Sequence, residues 1–172
     1  MIQRGWMFCL LLGTLPALAN DCSFVPDTSL CGLPLEAGQA RFDAVLGPPD
    51  GSLKMGPQRT GLLYGPHLLL VFENDRVIAA HSWEQTEPRF LAEVGAARAK
   101  PLRLTLGTFS PWSRSRQQID LALENRPPVA ADRQTQTRAL GRSQLHIHYQ
   151  APAGSDNPAQ YRVSYLQLEI RP

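Results

Sequence analysis

The clearest hydrophobic pattern in the chain lies between residues 35 and 83. Leu35 to Leu46 has apolar residues at helical spacing, and Gly47 followed by Pro48 is a helix-stop signal. Three short apolar runs follow, separated by turn residues, at 61–64, 68–72 and 76–81. Glu73 to Arg76, between the last two runs, has the composition of a tight hairpin turn. The pattern predicts a helix that leads into an antiparallel meander.

The second half of the chain has a similar but weaker pattern. Leu102, Leu104 and Leu106 alternate with polar residues, which predicts a half-buried strand. Ser110 and Pro111 are residue types expected at the start of a helix, which we predict to run to about residue 123. We also expect strands at 145–149 and 161–170, a linker helix at 88–99, an irregular segment at 20–33, and polar loops at 48–59 and 126–141.

Residues of the two halves match at a constant offset. A shift of 77 positions relates Pro34 to Pro111, Leu68 to Leu145 and Phe72 to Tyr149. The final strands, near Val77 and Val163, are 86 positions apart, and the loop 151–160 absorbs the difference. Such an offset through a helix, a loop and a strand favours duplication of one unit, and chance similarity is the alternative.

The predicted fold class is therefore α+β. We expect two tandem units, each a helix plus an antiparallel meander, that share one sheet with the helices packed on one face. Residues 20–100 would form the first repeat with its linker helix, and residues 101–172 the second, divergent repeat.

The first 19 residues have the features of a secretory signal peptide. Arg4 gives a positive start, Trp6 to Leu15 is apolar but too short to span a bilayer, and Ala17-Leu18-Ala19 is a cleavage site before Asn20. A membrane anchor is the alternative interpretation. No other segment is long and apolar enough to cross a membrane, so the sequence predicts an exported, soluble protein.

The cysteines support export. Cys9 lies in the signal peptide, which leaves Cys22 and Cys31 as an even pair, and in an exported chain such a pair predicts a disulfide. Asp21 stands directly before Cys22, where a bacterial lipoprotein signal needs a small residue. The predicted location is therefore the periplasm, without a lipid anchor.

Charge is unevenly divided along the chain. The net charge of +2 combines an acidic segment 20–97, with five Lys/Arg against ten Asp/Glu, and a basic segment 98–172, with eleven against five. This division favours either an anionic partner for the basic half or packing of the two halves against each other. No dense basic patch with interleaved aromatic residues is present, so nucleic acid is not an expected partner.

The first half resembles a known family. Leu46-Gly47-Pro48-Pro49, Tyr64 and the run Leu70 to Val77 resemble the SmpA/OmlA (BamE) outer-membrane lipoprotein domain. The tandem arrangement is also similar to that of β-lactamase inhibitory proteins. The resemblance covers residues 35–80, and is weaker over 110–170. It implies an antiparallel sheet with packed helices and a non-enzymatic, protein-binding role.

Histidine and aromatic residues are the candidate functional groups. His146 and His148 lie two positions apart on a predicted strand and, with His67, are weak candidates for a shared metal ion. The alternative is that these histidines line the polar face of a half-buried sheet without binding a metal. Tryptophan is frequent at binding hot spots, although Trp112 could equally lie in the core. The partner-binding candidates are His67, Val71, His81, Trp83, Trp112, His146 and His148.

No motif of a hydrolase or a nucleotide-binding enzyme occurs, so we predict neither catalytic residues nor a cofactor. The expected function is a non-enzymatic, BamE-like periplasmic module that binds another protein, an envelope component or a secreted enzyme, through the open face of its sheet. The alternatives are an inhibitor or immunity protein against a secreted enzyme, and a metal-binding protein that uses the His-x-His strand. The sequence does not predict whether the protein contacts lipid or peptidoglycan.

Overall fold

The computed structural model describes residues 21–84 and 102–171. The predicted signal peptide and the predicted linker helix at 88–99 lie outside these residues. The α-helices are α1 (Gln39–Leu46) and α2 (Arg116–Ala122). The strands are β1 (Asp21–Val25), β2 (Ser29–Leu30), β3 (Leu33–Pro34), β4 (Gly51–Lys54), β5 (Arg59–Leu63), β6 (Leu68–Glu73), β7 (Arg76–Trp83), β8 (Arg103–Leu106), β9 (Pro128–Ala131), β10 (Thr135–Leu140), β11 (Ser143–Gln150) and β12 (Arg162–Glu169).

The α+β prediction, with helices covering one face of a shared sheet, is wrong. Strands make up 48% of the structure and helices 13%, and the strands form two sheets. An eight-stranded sheet has the order β4-β5-β6-β7-β12-β11-β10-β9, and a four-stranded sheet has the order β3-β2-β1-β8. The core face of the large sheet therefore packs against a second sheet as well as two short helices. The chain is mostly β.

Five strands lie within segments predicted to be irregular or polar loops, namely β1, β2, β4, β9 and β10, and this explains the error. Residues 20–33 contain β1, whose partner β8 lies far along the chain and runs parallel to it. The segments 48–59 and 126–141 contain the edge strands β4 and β9, whose side chains are largely exposed. An exposed edge strand does not need the alternation that reveals a half-buried one, and these two strands also contain Gly51 and Pro128.

The large sheet is antiparallel throughout and is joined in the middle. Hairpins connect β5, β6 and β7 on one side and β10, β11 and β12 on the other. The two sides meet where β7 pairs with β12. Elements recur at the offset seen in the sequence, since β4 begins at Gly51 and β9 at Pro128. The division of the chain into repeats 20–100 and 101–172 stays a prediction.

The hairpin between β6 and β7 was predicted correctly. Glu73 pairs with Arg76, and the two residues between them, Asn74 and Asp75, have φ angles of 49° and 62°. Positive φ at both central residues defines a type I′ turn, which Asn and Asp tolerate better than most residues.

Each helix begins with a different cap. Gly38 offers α1 no side chain, and instead Asp75, in the β6–β7 turn, accepts a hydrogen bond from the Gln39 backbone N–H at 2.8 Å. Helix α2 starts five residues later than its predicted Ser110 cap. Ser115 and Gln118 form a capping box there, in which each side chain accepts from the other's backbone N–H. Both helices are thus short and fixed at their first turn.

The predicted disulfide between Cys22 and Cys31 is confirmed. It joins β1 to the residue after β2 and lies in the core, since Cys22 has no exposed surface. On the chain-entropy model, closing so short a loop contributes roughly 2–3 kcal/mol. Among the described residues, no helix is long and apolar enough to cross a membrane.

A buried arginine attaches α2 to the large sheet. Arg138 on β10 is 1% exposed and forms an ion pair with Asp120 of α2. Its guanidinium also donates to the backbone carbonyls of Leu123, at 3.2 Å, and Arg126, which follow the helix. Arginine at this end complements the partial negative charge of a helix C-terminus. The network explains why β10 has a charged side chain on its inner face.

Candidate functional site

The face of the large sheet that points away from the helices carries most of the candidate residues, and we call it the open face. Successive side chains of a strand alternate between faces, and Leu68, Leu70 and Phe72 point into the core. Leu69 and Val71 therefore point to the open face. By the same alternation and the strand register, the open face comprises Leu63, Leu69, Val71, His81, Trp83, Thr135, Thr137, Gln144, His146, His148, Tyr165, Gln167 and Glu169.

The open face changes from apolar to polar across the sheet. The register places six residues of six neighbouring strands in one row, in the order Leu63, Leu69, His81, Gln167, His146 and Thr137. The first two belong to β5 and β6 and are apolar, and the other four belong to β7, β12, β11 and β10 and are polar. Along this row the face therefore changes from apolar to polar between β6 and β7, and we call the two parts the apolar half and the polar half.

The apolar half is a compact cluster. Leu63, Leu69, Val71 and Trp83 are each at most 3% exposed, and Tyr165 packs against them. Every residue of this cluster belongs to the sheet, so no described helix contributes to it. The Trp83 indole N–H is buried and has no acceptor within the described part of the chain. An unpaired buried donor costs about 1–3 kcal/mol.

At the junction, His81 and Tyr165 form a close pair. The distance between His81 Nδ1 and the Tyr165 hydroxyl oxygen is 2.5 Å. Burial raises the pKa of Tyr165 to about 12. Burial also lowers the pKa of His81, although the negative charge of Glu169 acts in the opposite direction. At neutral pH a protonated phenol therefore faces a neutral imidazole, and the phenol O–H can donate to that ring.

The polar half centres on His146 and His148 of β11. The Thr137 hydroxyl lies 3.0 Å from His146 Nδ1, and Glu169 lies 3.5 Å from His146 Nε2. The ring of His148 meets Tyr165 edge to face, with centroids 5.1 Å apart. Burial and the neighbouring His146 charge lower the pKa of His148. These contacts fix the side chains on a rigid sheet, where they present both donors and acceptors.

A hydroxyl, an imidazole and a carboxylate lie in a row in space here, on Thr137, His146 and Glu169. Enzymes that use a hydroxyl nucleophile have the same order of groups. Acyl transfer also needs donors aimed at a developing oxyanion. Thr137 lies in a strand that is paired on both sides, and a β-bulge interrupts its pairing with β9 between Thr137 and Arg138.

The metal candidates are not brought together. His146 and His148 share a face of β11, but His67 precedes β6, and β7 and β12 lie between these two strands. Three inter-strand spacings correspond to about 14 Å, which is too far for a shared ion. Across residues 21–84 and 102–171, no group of three or more His, Cys, Asp or Glu could hold a metal ion.

A hollow of about 540 Å³ opens at one end of the open face. Val71, Ile78 and Ala79 form its apolar floor, and charged side chains surround it. One pair of these, Arg59 and Glu73, forms an ion pair at 2.6 Å. A hollow of this size can accept a side chain or a short segment from another molecule.

Six of the seven partner-binding candidates lie on or beside the open face, although Val71 and Trp83 are buried there. Trp112 does not belong to it. It is 7% exposed, and its indole N–H donates to the Leu104 carbonyl at 2.7 Å, in the core between the two sheets. The sequence analysis missed Tyr165, Gln167 and Glu169. Their alternation with Leu166 and Leu168 was a visible signal, but the pairing of β12 with β7 was not.

Comparisons with known proteins assign no family. No family model matches the sequence, and no curated protein is significantly similar to it. Among solved structures, the chain is similar to a cysteine-rich secretory protein from Staphylococcus aureus, with a TM-score of 0.43 and 8% sequence identity. The match covers 78% of this chain and 43% of that one, so the chain spans less than half of that protein's length. The resemblance to the SmpA/OmlA domain stays a prediction.

Proposed function

We propose that this chain is an exported, non-enzymatic module that binds another protein on the open face of its large sheet. The observation that carries the proposal is the division of this face. The apolar cluster on β5, β6 and β7 is buried, so the surface that a partner can reach is the adjoining polar area on β12, β11 and β10, whose side chains are partly exposed. Imidazole, phenol and amide groups on this area can supply the direct hydrogen bonds that protein interfaces carry.

The chemistry of the face supports a protein partner more than a small substrate. His81, His146, His148 and Tyr165 supply aromatic rings with polar groups, at positions that the β-ladder fixes. Aromatic side chains are enriched among residues that dominate binding energies. The adjoining hollow of about 540 Å³ could accept an anchoring side chain of the partner.

The disulfide supports an oxidising compartment, because such bonds persist outside the reducing cytosol. Together with the predicted signal peptide, it leads us to propose the periplasm. A role similar to that of the SmpA/OmlA domain agrees with binding to an envelope protein, and rests on the sequence resemblance alone.

Site-specific photo-crosslinking in the native host tests the proposal. A photoreactive amino acid replaces Gln144 or Gln167, both half-buried on the open face, or Gln117, which is exposed on α2. We expect one partner protein to crosslink from Gln144 and Gln167 but not from Gln117. His148→Glu should reduce that crosslink without lowering the melting temperature. Equal crosslinking from Gln117, or none from the open face, would contradict the proposal.

Mass spectrometry of the crosslinked product then separates two kinds of partner. An envelope protein would agree with a structural or assembly role. A secreted enzyme that loses activity on mixing would favour the inhibitor alternative.

A further inference from the structure

A second recess lies at the end of the large sheet, beside the hollow on the open face, and we call it the arginine cleft. It has a volume of about 530 Å³. Leu35, Val77, Ile78 and Ile170 form its apolar surface, and all but Ile78 are less than 9% exposed. Arg76, Arg142 and Arg171 line the cleft and are exposed.

The carboxylates around the cleft leave two of the three arginines free. Glu73 lines the cleft but forms an ion pair with Arg59. Arg142 lies 3.6 Å from Asp27. Within the described part of the chain, neither Arg76 nor Arg171 lies within ion-pair distance of a carboxylate, and Glu36 is the one remaining acidic residue that lines the cleft.

The two free arginines have fixed backbone positions next to each other. Arg76 is the first residue of β7, and Arg171 follows Ile170, whose backbone N–H donates to the Ile78 carbonyl at 2.8 Å. Arg171 is therefore held beside the start of β7. A planar guanidinium pairs with a carboxylate through two parallel hydrogen bonds, so two arginines that line one cleft suit a ligand with more than one carboxylate.

We propose that the arginine cleft binds an acidic peptide segment. Its carboxylates would pair with Arg76 and Arg171, and an apolar side chain between them would pack on Val77, Ile78 and Ile170. The volume suits a segment of a few residues rather than a small inorganic anion, and Ile78 is the apolar lining residue that keeps exposed surface for the peptide to cover. The proposal goes beyond the open face, since a partner bound there need not enter the cleft.

Fluorescence anisotropy with the secreted chain tests this inference. The probe is a fluorescein-labelled pentapeptide, Glu-Asp-Leu-Glu-Asp, and the matched neutral probe is Gln-Asn-Leu-Gln-Asn. We expect saturable binding of the acidic probe, with about a tenfold loss for each of Arg76→Glu and Arg171→Glu. The neutral probe should not bind. Circular dichroism should show the same fold and the same melting temperature for each variant.

The control is the pair Arg114→Glu and Arg162→Glu, which makes the same change in net charge. Both arginines are exposed, and both lie at the end of β12 opposite Arg171, where the Val163 N–H donates to the Arg114 carbonyl. This pair should change affinity by less than about twofold, because its charges lie outside the cleft. An equal loss in both pairs of variants would show non-specific attraction and overturn the proposal.

Two other results would also overturn it. They are the absence of saturable binding at about 1 mM peptide, and equal binding of the neutral probe. His148→Glu serves to separate the two sites, since it should leave peptide affinity unchanged while it weakens crosslinking from the open face. Arg171 also lines the hollow on the open face, whereas Arg76 lines the cleft alone, so Arg76→Glu is the arginine variant that tests the cleft separately from the open face.

Discussion

The contact between Gly38 and Asp75 gives a sharp test of how α1 is held. A Cβ atom added at Gly38 would lie 2.3 Å from Asp75 Oδ2 and 2.9 Å from Asp75 Cγ, both far inside normal contact distance. The backbone itself would accept alanine, because Gly38 has φ −74°. Gly38→Ala must therefore displace the Asp75 carboxylate, which caps α1 by accepting from the Gln39 N–H.

The size of the effect follows from what Asp75 contributes. A charge-assisted hydrogen bond contributes about 1.5–3 kcal/mol when buried, and a carboxylate near a helix N-terminus about 0.3–1 kcal/mol. Because this contact is exposed, we expect the lower end, about 1–2 kcal/mol in the free energy of unfolding. Asp75 has φ 62°, so Asp75→Gly removes the carboxylate without straining the turn.

A double-mutant cycle measures this directly by urea denaturation. Gly38→Ala should cost about 1–2 kcal/mol more in the wild-type background than in Asp75→Gly, where the new methyl group has no carboxylate to displace. Gly56→Ala is the matched control, because nothing lies within 4 Å of a Cβ at that position. It should change stability by less than about 0.5 kcal/mol. Equal costs of Gly38→Ala in both backgrounds would refute this account of the cap.

Three further predictions concern the buried polar groups and the disulfide. Asp120→Asn removes the charge partner of Arg138. Because Asp120 is itself half-exposed, we expect the free energy of unfolding, measured by urea denaturation, to fall by about 1–3 kcal/mol. Unchanged stability would contradict a stabilising role for the ion pair. Since the folded protein lowers the pKa of His81, the unfolded chain binds its proton first, so stability should fall as pH drops below about 6.5. Because the pKa of His148 is lowered as well, His81→Gln should reduce but not abolish the fall in melting temperature between pH 7.5 and 5.5, and an unaltered pH profile would argue against this role. The double variant Cys22→Ala, Cys31→Ala should lower the free energy of unfolding by roughly 2–3 kcal/mol relative to the wild type under non-reducing conditions. No loss would show that the loop constraint is unimportant.

Elements with strong local signals could be predicted from the sequence. The strand β6 is a run of apolar residues with a turn signal after it, and the Asn-Asp pair sets both the hairpin and its register with β7. Helix α1 ends where Gly47 and Pro48 stop it. In each case the information lies within about ten residues, which is the range over which periodicity and turn chemistry act.

Strand β10 shows why the rest could not be predicted. Its inward-facing residues are Gln136, Arg138 and Leu140, so two of the three buried positions are polar. This inverts the usual pattern and makes the segment look like a loop. The buried positions are satisfied by Asp120 and by carbonyls at the end of α2, which are distant in sequence. No local rule can identify such partners.

The candidate site was only partly predictable for the same reason. Alternation along β11 showed that His146 and His148 share a face. The contribution of Tyr165 depends on the register of β12 against both β7 and β11, which is a property of the folded sheet. Trp112 has the residue type of a binding hot spot, but its indole N–H donates a hydrogen bond to the carbonyl of Leu104, on β8 of the four-stranded sheet.

The pairing of β7 with β12 has a consequence for the export that we propose. An exported chain is threaded out from the N-terminus, so β4 to β7 would reach the far side before β12 is available. Until then, β7 is an edge strand with an unpaired row of backbone N–H and C=O groups and the apolar residues Val77, Ile78 and Ala80. Such an edge can pair with the wrong chain. A chaperone that shields β7 during secretion would therefore protect the protein at its most vulnerable stage, and slow release of the second half should increase aggregation.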